Sequence, residues 1–403
     1  MLAKYIQENC TKGTMIRKMS ALATKMREEK GAEAIYDMTI GNPQLPPPKE
    51  YLDALVKIAQ EEKPMCHGYS TSNGDLVARE TMAEIVDQFE EVKLTAEEIV
   101  MTCGCAGACN VFLRTVLEIG DEVIIFSPYF LEYPFYIENY GGVPVRVNTR
   151  FEDGWQINID LLKEKLTSKT RVVIINSPQN PTGVVYTQEK IDEVMDLLRE
   201  QSEKNQRPIW ILNDAVYCRV VTKNAPKFSI FHKYPYAVIA YSLSKDVSIA
   251  GERVGCLAAN PLVPNYPDLI KAIATSNEIL GFVHTNKLHM RILPLVAHAI
   301  VDLSLYDKTR EMMCQCLDEM GIKYIKPEGA FYIFPKIGEY DGWEFCKTLA
   351  ENGIVTVPGS AFDAEGYFRI SLCQHPDVFK DCIPVFKNAY KATIEKLEAD
   401  KKK

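Results

Sequence analysis

The sequence predicts an α/β fold: a large domain, in which helices sandwich a mostly parallel sheet of about seven strands, and a smaller α+β domain built from both chain ends. Short, almost entirely apolar segments recur between helical segments in the first two thirds of the chain. Such strands are typical of parallel sheets that are covered on both faces. Shorter strands mixed with helices follow towards the C-terminus. We expect residues 1–48 to form an arm and part of the smaller domain, 49–285 the large domain, and 286–403 the rest.

The composition excludes several classes of protein. The chain has 403 residues, 47% of them hydrophobic and 25% charged, which is ordinary for a globular protein. The net charge of −8 offers no electrostatic reason to expect binding to nucleic acid. No segment approaches the roughly 18 unbroken apolar residues of a membrane-spanning helix.

The cysteines and histidines point to a cytoplasmic protein without a metal site. The N-terminus carries no apolar segment of the signal-peptide type, and the twelve cysteines include no CxxC pair. We therefore expect reduced thiols in the cytoplasm. The six histidines form no HExxH pattern. The cluster of Cys103, Cys105 and Cys109 is interpreted as small buried residues, with structural zinc as the alternative.

The elements of the large domain alternate along the chain. Helices are predicted at 49–62 and 75–92, ahead of the first strand. Strands are predicted at 99–102, 122–126, 143–147, 171–175, 209–212 and 237–241. Helices are predicted at 104–117, 159–166 and 188–204. This alternation predicts successive parallel βαβ units.

The smaller domain is predicted from both chain ends. A helix over Met15–Lys30 and a short strand over Tyr36–Ile40 come first. A helical tract at 284–320, broken near Pro294, follows the large domain. Strands are then expected at 323–325, 330–334, 354–357 and 367–371, and a last amphipathic helix from Pro376 to about residue 399.

Unusual polar clusters follow five of the apolar strands. They are the turn at Gly104, Tyr129-Phe130, Asn180, Asp214 to Tyr217, and Ser242 to Lys245. If the strands are parallel, all five clusters meet at one edge of the sheet, where open α/β sheets bind ligands. The sequence therefore predicts a single site there.

The stretch from Ser242 to Lys245 indicates the chemistry of that site. A lysine just past the end of a core strand can be desolvated, lose its proton and attack a carbonyl. Ser242, Ser244 and the nearby Arg253 can hold a dianionic phosphate. An amine nucleophile beside a phosphate cradle suggests pyridoxal phosphate, joined to Lys245 as a Schiff base. A solvated surface lysine is the alternative interpretation of the stretch taken alone.

Taken together, the motifs resemble the pyridoxal-phosphate-dependent fold-type I aminotransferases of class I/II. The resemblance covers nearly the whole chain, and the motifs follow the family's order. They are Gly41-x-Pro43, Tyr69, Gly104–Ala108, Asn180-Pro181-Thr182-Gly183, Asp214-x-x-Tyr217, Ser242-x-Ser244-Lys245, Arg253 and Phe368-Arg369-Ile370-Ser371.

The resemblance implies a role for each matched residue. Lys245 carries the cofactor and moves the proton between the substrate's Cα and the cofactor. Asp214 pairs with the pyridine nitrogen, and Tyr217 and Asn180 bind the ring's phenolic oxygen. The implied phosphate ligands are Arg253, Ser242, Ser244 and the backbone of Cys105 and Ala106.

Further roles concern the ring, the substrate and the partner subunit. Phe130 is expected to stack on the ring, with Tyr129 as the alternative. Arg369 binds the substrate α-carboxylate, helped by Gly41 and Asn180. Tyr69 reaches the cofactor of a second subunit, which implies a homodimer with shared sites.

The chain departs from the family in two places. Cys105 and Ala106 bring no hydroxyl to the phosphate turn, and the loop at 70–74 is this chain's own. We identify no second arginine for a dicarboxylate side chain, and the tract at 275–282 hints at an apolar or broad specificity.

The leading hypothesis is an aminotransferase that moves an amino group from an L-amino acid to a 2-oxo acid by a ping-pong mechanism. Three alternatives remain open at this point: a carbon–sulfur β-lyase, an aspartate β-decarboxylase, and a non-catalytic regulator that binds the same cofactor.

Overall fold

A computed structural model describes residues 2–12, 15–31, 34–39 and 41–402. Ile40, the last residue of the first predicted strand, lies outside these ranges. The helices are α1 (Lys4–Lys12), α2 (Met15–Lys30), α3 (Lys49–Ala59), α4 (Leu76–Val86), α5 (Gly104–Val116), α6 (Tyr133–Glu138), α7 (Ile159–Lys165), α8 (Gln188–Asn205), α9 (Tyr266–Ile279), α10 (Lys287–Val296), α11 (Leu303–Glu319), α12 (Gly342–Glu351) and α13 (Pro376–Lys401). The strands are β1 (Tyr36–Asp37), β2 (Ile99–Cys103), β3 (Glu122–Ser127), β4 (Val143–Asn148), β5 (Thr170–Asn176), β6 (Trp210–Asp214), β7 (Ala237–Ser242), β8 (Val254–Ala259), β9 (Tyr332–Ile333), β10 (Ile354–Val355), β11 (Val357–Pro358) and β12 (Phe368–Ser371).

The main sheet has seven strands in the order β2-β8-β7-β6-β5-β3-β4. Strand β8 runs antiparallel to both of its neighbours, and the other adjacent pairs are parallel. Because β8 is antiparallel to both β2 and β7, those two strands run in the same direction. The predicted α/β fold with a mostly parallel sheet is confirmed.

Helices cover both faces of this sheet. Side chains alternate along a strand, and β5 sends Val172 and Ile174 into one apolar core and Val173 and Ile175 into another. Helix α5 packs over β7 and β8 on the first face, whereas α4 and α8 contribute to the core on the second. Burial on both faces explains why the strands are apolar throughout.

A second structural unit joins the two ends of the chain. Strand β1 pairs in parallel with β10, which brings Tyr36 opposite Ile354. Strands β11, β12 and β9 form a three-stranded antiparallel sheet. A third apolar core lies between these strands and helices α2, α11, α12 and α13.

One expectation for this part of the chain needs correction, and another is confirmed. Residues 323–325 form no strand, since a three-residue segment needs a pairing partner and its backbone gains only one hydrogen bond, from Lys336 N to Lys323 O. The predicted break near Pro294 is confirmed: Pro294 lies in the last turn of α10, which ends two residues later at Val296. The predicted tract divides after Val296, and α10 packs against α3 and α4. The domain boundaries at 48 and 285 stay a prediction. Within the described ranges, no helix combines the length and the apolar character needed to cross a bilayer.

Candidate active site

The carboxyl ends of five strands of the main sheet surround one cavity of about 290 Å³. Strands β2, β3, β5, β6 and β7 all point towards it, and the reversed β8 begins there. Gly41, Tyr332 and Arg369 form part of its wall from the second structural unit. The structure brings most of the predicted site residues to this cavity: Gly41, Cys105, Ala106, Phe130, Asn180, Asp214, Tyr217, Ser242, Ser244, Lys245, Arg253 and Arg369.

Lys245 follows β7 and points across the cavity to the second unit. Its Nζ donates a hydrogen bond to the Gly41 carbonyl oxygen at 2.6 Å. Burial lowers the pKa of the Lys245 amine to about 8. A substantial fraction of the amine is therefore neutral near physiological pH, as a nucleophile requires.

The Gly41 backbone can approach Lys245 only because this residue has no side chain. A Cβ at position 41 would lie 1.7 Å from the Tyr332 hydroxyl oxygen, which is far inside contact distance. The hydroxyl of Tyr332 is in turn 2.8 Å from that of Tyr217. The contact between Gly41 and Lys245 thus depends on a glycine at this point.

Asp214 ends β6 and carries the buried carboxylate of the site. Its Oδ2 accepts a hydrogen bond from the Tyr133 hydroxyl at 2.7 Å, and its Oδ1 accepts one from Cys105 Sγ at 3.0 Å. Burial raises the pKa of the Asp214 carboxyl, and the two hydrogen bonds oppose that shift. A cation placed beside this carboxylate would be strongly attracted.

Two hydroxyls, a guanidinium and a helix N-terminus form an anion cradle. Ser242 Oγ lies 3.0 Å from Ser244 Oγ, and both serines are buried. Helix α5 begins at Gly104, so its first-turn N–H groups have no partner within the helix. Arg253 lies at the start of β8, next to that turn. These groups suit a phosphate dianion.

Arg369 of β12 is the cation most deeply buried in the cavity wall. Its Nη1 donates to Asn180 Oδ1 at 2.9 Å, and its Nη2 donates to the Thr39 carbonyl oxygen. Its guanidinium carbon lies 4.5 Å from the ring centroid of Tyr332. Its Nε has no hydrogen-bond partner among the described residues. A buried arginine with an unused donor fits a carboxylate ligand.

Phe130 and Tyr129, the two alternatives for the stacking ring, lie in different places relative to the cavity. Phe130 lines the cavity and packs edge-on against Tyr133, with ring centroids 5.5 Å apart. Tyr129 is outside the cavity wall, and its hydroxyl accepts a hydrogen bond from Arg146 Nε at 3.0 Å.

Tyr69 is the one predicted site residue that lies outside this cavity. Its ring is 85% exposed and packs edge-on against His284, with centroids 5.9 Å apart. Within this chain, Tyr69 does not contribute to the site.

Several residues of the site were not predicted. Tyr133 and the Cys105 side chain bind Asp214, and Tyr332 binds Tyr217. The cavity wall also contains Thr39, Glu132, Tyr136, Asn176, Val216 and Ala250. Tyr133 and Tyr136 lie in the segment after β3, where only Tyr129 and Phe130 were predicted to belong to the site. The motif series offered no signal for Tyr332.

Comparison with known proteins identifies the family. Residues 33–378 match the family described as aminotransferase class I and II. The chain belongs to this family. It is 30% identical over 367 residues to a probable aspartate/prephenate aminotransferase of Aquifex aeolicus, which covers 88% of this chain and 90% of the relative. It is 31% identical over 366 residues to aromatic-amino-acid aminotransferase 2 of Thermococcus litoralis, with the same coverage.

A solved structure supports the same assignment. An aminotransferase from Eubacterium rectale superposes with a TM-score of 0.92 and 30% sequence identity, and covers 97% of this chain and 99% of that one. This protein is an aminotransferase that acts on amino acids and 2-oxo acids.

Aminotransferases of this family depend on pyridoxal phosphate, and the cavity fits that cofactor. A Cβ at position 104 would lie 2.9 Å from Arg253 Nη2, so glycine keeps the space between the α5 turn and Arg253 open. Lys245, Asp214 and the anion cradle lie around the same cavity and match the cofactor's aldehyde, ring nitrogen and phosphate in chemical character.

Proposed function

We propose that Lys245 holds the cofactor of this aminotransferase and moves a proton to and from the substrate's α-carbon. The observation that carries the proposal is the amine of Lys245 inside the cavity, with a pKa lowered to about 8 by burial. A neutral amine is both a nucleophile and a base. Its hydrogen bond to the Gly41 carbonyl oxygen holds it in the cavity.

The remaining residues bind and orient. When bound, pyridoxal phosphate supplies an aldehyde for amines and a ring that accepts the electron pair released at the α-carbon. Asp214 would hold the ring nitrogen in its protonated form, with Tyr133 and Cys105 positioning the carboxylate. Tyr217 and Asn180 would bind the ring oxygen, and Phe130 would stack on the ring face.

The phosphate of the cofactor and the α-carboxylate of the substrate would bind to different groups of residues in the cavity. The anion cradle of Ser242, Ser244, Arg253 and the first turn of α5, with Cys105 and Ala106, would hold the phosphate. Arg369 would bind the substrate α-carboxylate through its guanidinium, held in position by Asn180 and Thr39.

Single-turnover chemistry of the holoenzyme tests this function. Amino acids added without an acceptor should change the visible spectrum of the bound cofactor and release one equivalent of the matching 2-oxo acid. Lys245→Ala should abolish both effects, whereas Lys336→Ala, which removes a lysine of an exposed ion pair with Glu152, should not. Release of ammonia and pyruvate would instead indicate the lyase, and a cofactor spectrum without turnover would indicate the regulator.

We also propose a homodimer in which Tyr69 completes the partner's site. Support comes from exposed apolar side chains in the segments next to Tyr69 and its ring partner His284, which are Leu76, Val77, Ile279, Phe282 and Val283. A link from Ser72 to Glu278 and an ion pair of Asp75 with Lys287 join these two segments. Such a surface is typical of a subunit contact.

We further propose a cytoplasmic location and the division into domains at residues 48 and 285. The cysteines whose side chains the structure describes are thiols and not disulfides, which is compatible with a reducing compartment. Cell fractionation tests the location, and limited proteolysis of the apoprotein tests the boundaries.

A further inference from the structure

A second cavity, of about 600 Å³, lies beside the main sheet at the residues next to the active site. Asn213 and Cys218 form part of its wall, next in sequence to Asp214 and Tyr217 of the active site. Side chains alternate along a strand, so Asn213 points to the opposite face of β6 from Asp214. The two cavities are therefore separated by the backbone of the strand ends.

Asn213 carries an unused acceptor in this second cavity. The residue is 3% exposed, and its Oδ1 has no hydrogen-bond partner among the described residues. A buried polar atom without a partner costs free energy, which a ligand with an N–H or O–H group would recover.

Some of the other polar groups in the wall already have hydrogen-bond or ion-pair partners within the protein, and others do not. The Glu90 carboxylate accepts hydrogen bonds from Ser229 Oγ and from the backbone N–H groups of Ile230 and Phe231. Arg219 is paired with Asp246 at 3.0 Å. Lys223 and Lys227 are exposed at the mouth, and within the described ranges neither forms an ion pair. Glu91 is also exposed in this wall, so the two lysines face one exposed carboxylate, and the remaining positive charge can attract an anion.

Apolar side chains form the rest of the wall. They are Phe89, Pro178, Val185, Val221, Ala225, Pro226, Phe228 and Ile300. The volume is within the range of small-molecule sites, which extends from roughly 300 to 1,000 Å³.

We propose that this cavity is an effector site for a small carboxylic acid with an apolar body and a hydroxyl or amino group. The carboxylate binds at Lys223 and Lys227, and the hydroxyl or amino group donates to Asn213 Oδ1. An aromatic hydroxy acid has this chemistry and suits the apolar wall.

Residues of this cavity are connected to active-site residues by adjacency in the chain and by one ion pair. Asn213 and Cys218 directly adjoin Asp214 and Tyr217 in the chain. Asp246, the partner of Arg219, directly follows Lys245. Val221 of the cavity wall also contacts the second structural unit, since it pairs with Gly329. A ligand in this cavity therefore contacts the sequence neighbours of active-site residues, and its binding changes kcat.

The test uses 4-hydroxyphenylacetate, which has a carboxylate, a ring and a hydroxyl but no amino group to transfer. Binding to the holoenzyme is followed by ligand-observed NMR, and the effect on transamination by steady-state kinetics. Arg369→Ala removes the competing carboxylate site, so binding that survives in this variant reports the second cavity. Ala225→Trp fills the cavity from its mouth, and Lys223→Ala with Lys227→Ala removes the cations.

We expect the probe to bind the Arg369→Ala variant and to change the kcat of the wild-type enzyme. When added to the Arg369→Ala background, Ala225→Trp and the double lysine change should each weaken binding about tenfold. The first removes space for the probe, and the second removes two exposed charge contacts. Lys391→Ala, at an exposed lysine on α13, is the control and should leave binding unchanged.

Three results would overturn the proposal. One is the absence of binding to the Arg369→Ala variant at millimolar probe. Another is binding there that neither cavity change weakens, with folding of the variants verified by their melting temperatures. The third is binding in the second cavity without any effect on kcat, which would exclude an effector role.

Discussion

Arg369 donates a hydrogen bond from Nη1 to Asn180 Oδ1 at 2.9 Å, although the two residues are 189 positions apart in the sequence. Asn180 follows β5 of the main sheet, and Arg369 lies on β12 of the second unit. This bond connects the two units inside the active-site cavity and fixes the orientation of the guanidinium.

We expect Arg369→Ala to lower kcat/KM by at least about 30-fold for every amino acid, because truncating one partner of a buried charged pair costs roughly 2–5 kcal/mol. Arg369→Lys should recover only part of this, since a lysine cannot form the planar two-bond contact. Cofactor binding, measured by the visible spectrum, should be unchanged in both variants. Loss of the cofactor from Arg369→Ala would contradict a role limited to the substrate.

The rate at which the apoprotein takes up pyridoxal phosphate should rise with pH and level off above about pH 8, because only the neutral Lys245 amine attacks the aldehyde and its pKa is lowered to about 8. One pH unit below that pKa, only about a tenth of the amine is neutral. Stopped-flow absorbance measures the rate. A model lysine amine, with a pKa of about 10.4, serves as the control, and its rate should keep rising through pH 10. A flat profile for the protein would disprove the explanation.

The choice of amino donor should depend on Glu132. This carboxylate lines the cavity, and its Oε2 accepts a hydrogen bond from the Tyr136 hydroxyl at 2.8 Å. It should repel a carboxylate on the substrate side chain. Glu132→Gln is expected to raise kcat/KM for aspartate relative to phenylalanine by about tenfold, or about 1.4 kcal/mol. Tyr136→Phe keeps the charge, so it should leave that ratio near the wild-type value; an equal change in both variants would argue against charge as the cause.

Gly41→Ala should reduce activity strongly, since its Cβ would lie 1.7 Å from the Tyr332 hydroxyl oxygen. The backbone must shift, which disturbs the hydrogen bond to Lys245. We expect kcat/KM to fall by about 100-fold or more, on the scale of overpacking costs of about 1–3 kcal/mol plus the lost contact. Gly251→Ala is the matched control, because a Cβ there meets nothing within 4 Å. Equal losses in the two variants would rule out the steric explanation.

Shared sites predict complementation between Lys245→Ala, which should be inactive, and Tyr69→Ala, which should hold the cofactor more weakly. Tyr69→Ala should weaken cofactor binding about tenfold, through loss of one phosphate contact from the partner. Coexpression of the Lys245→Ala and Tyr69→Ala chains should restore part of the activity, because one site of each mixed dimer would have both residues intact. Size-exclusion chromatography with light scattering gives the oligomeric state. A monomeric enzyme with full activity would refute the shared site.

Local patterns were sufficient for much of the fold. The apolar runs around Val172–Ile175 and Val238–Ala240 predict strands because burial on both faces requires apolar residues at every position. The polar clusters at Asp214 and Lys245 come directly after such runs, so their common position at one sheet edge follows from the parallel direction of the strands. Strand β8 was not among the predicted strands, and its reversed direction has no sequence signal, because an apolar run has the same pattern in either direction.

The sequence by itself determined the α/β class, six of the seven strands of the main sheet and the family, because periodicity and motif order are properties of neighbouring residues. Tertiary structure alone decided which distant residues meet. The pairings of Tyr133 with Asp214 and of Tyr217 with Tyr332 join segments 81 and 115 positions apart. The unsatisfied Asn213 Oδ1 and its cavity arise in the same way. Such contacts depend on how whole elements pack, and no local pattern encodes the side chain that a packed element places opposite another.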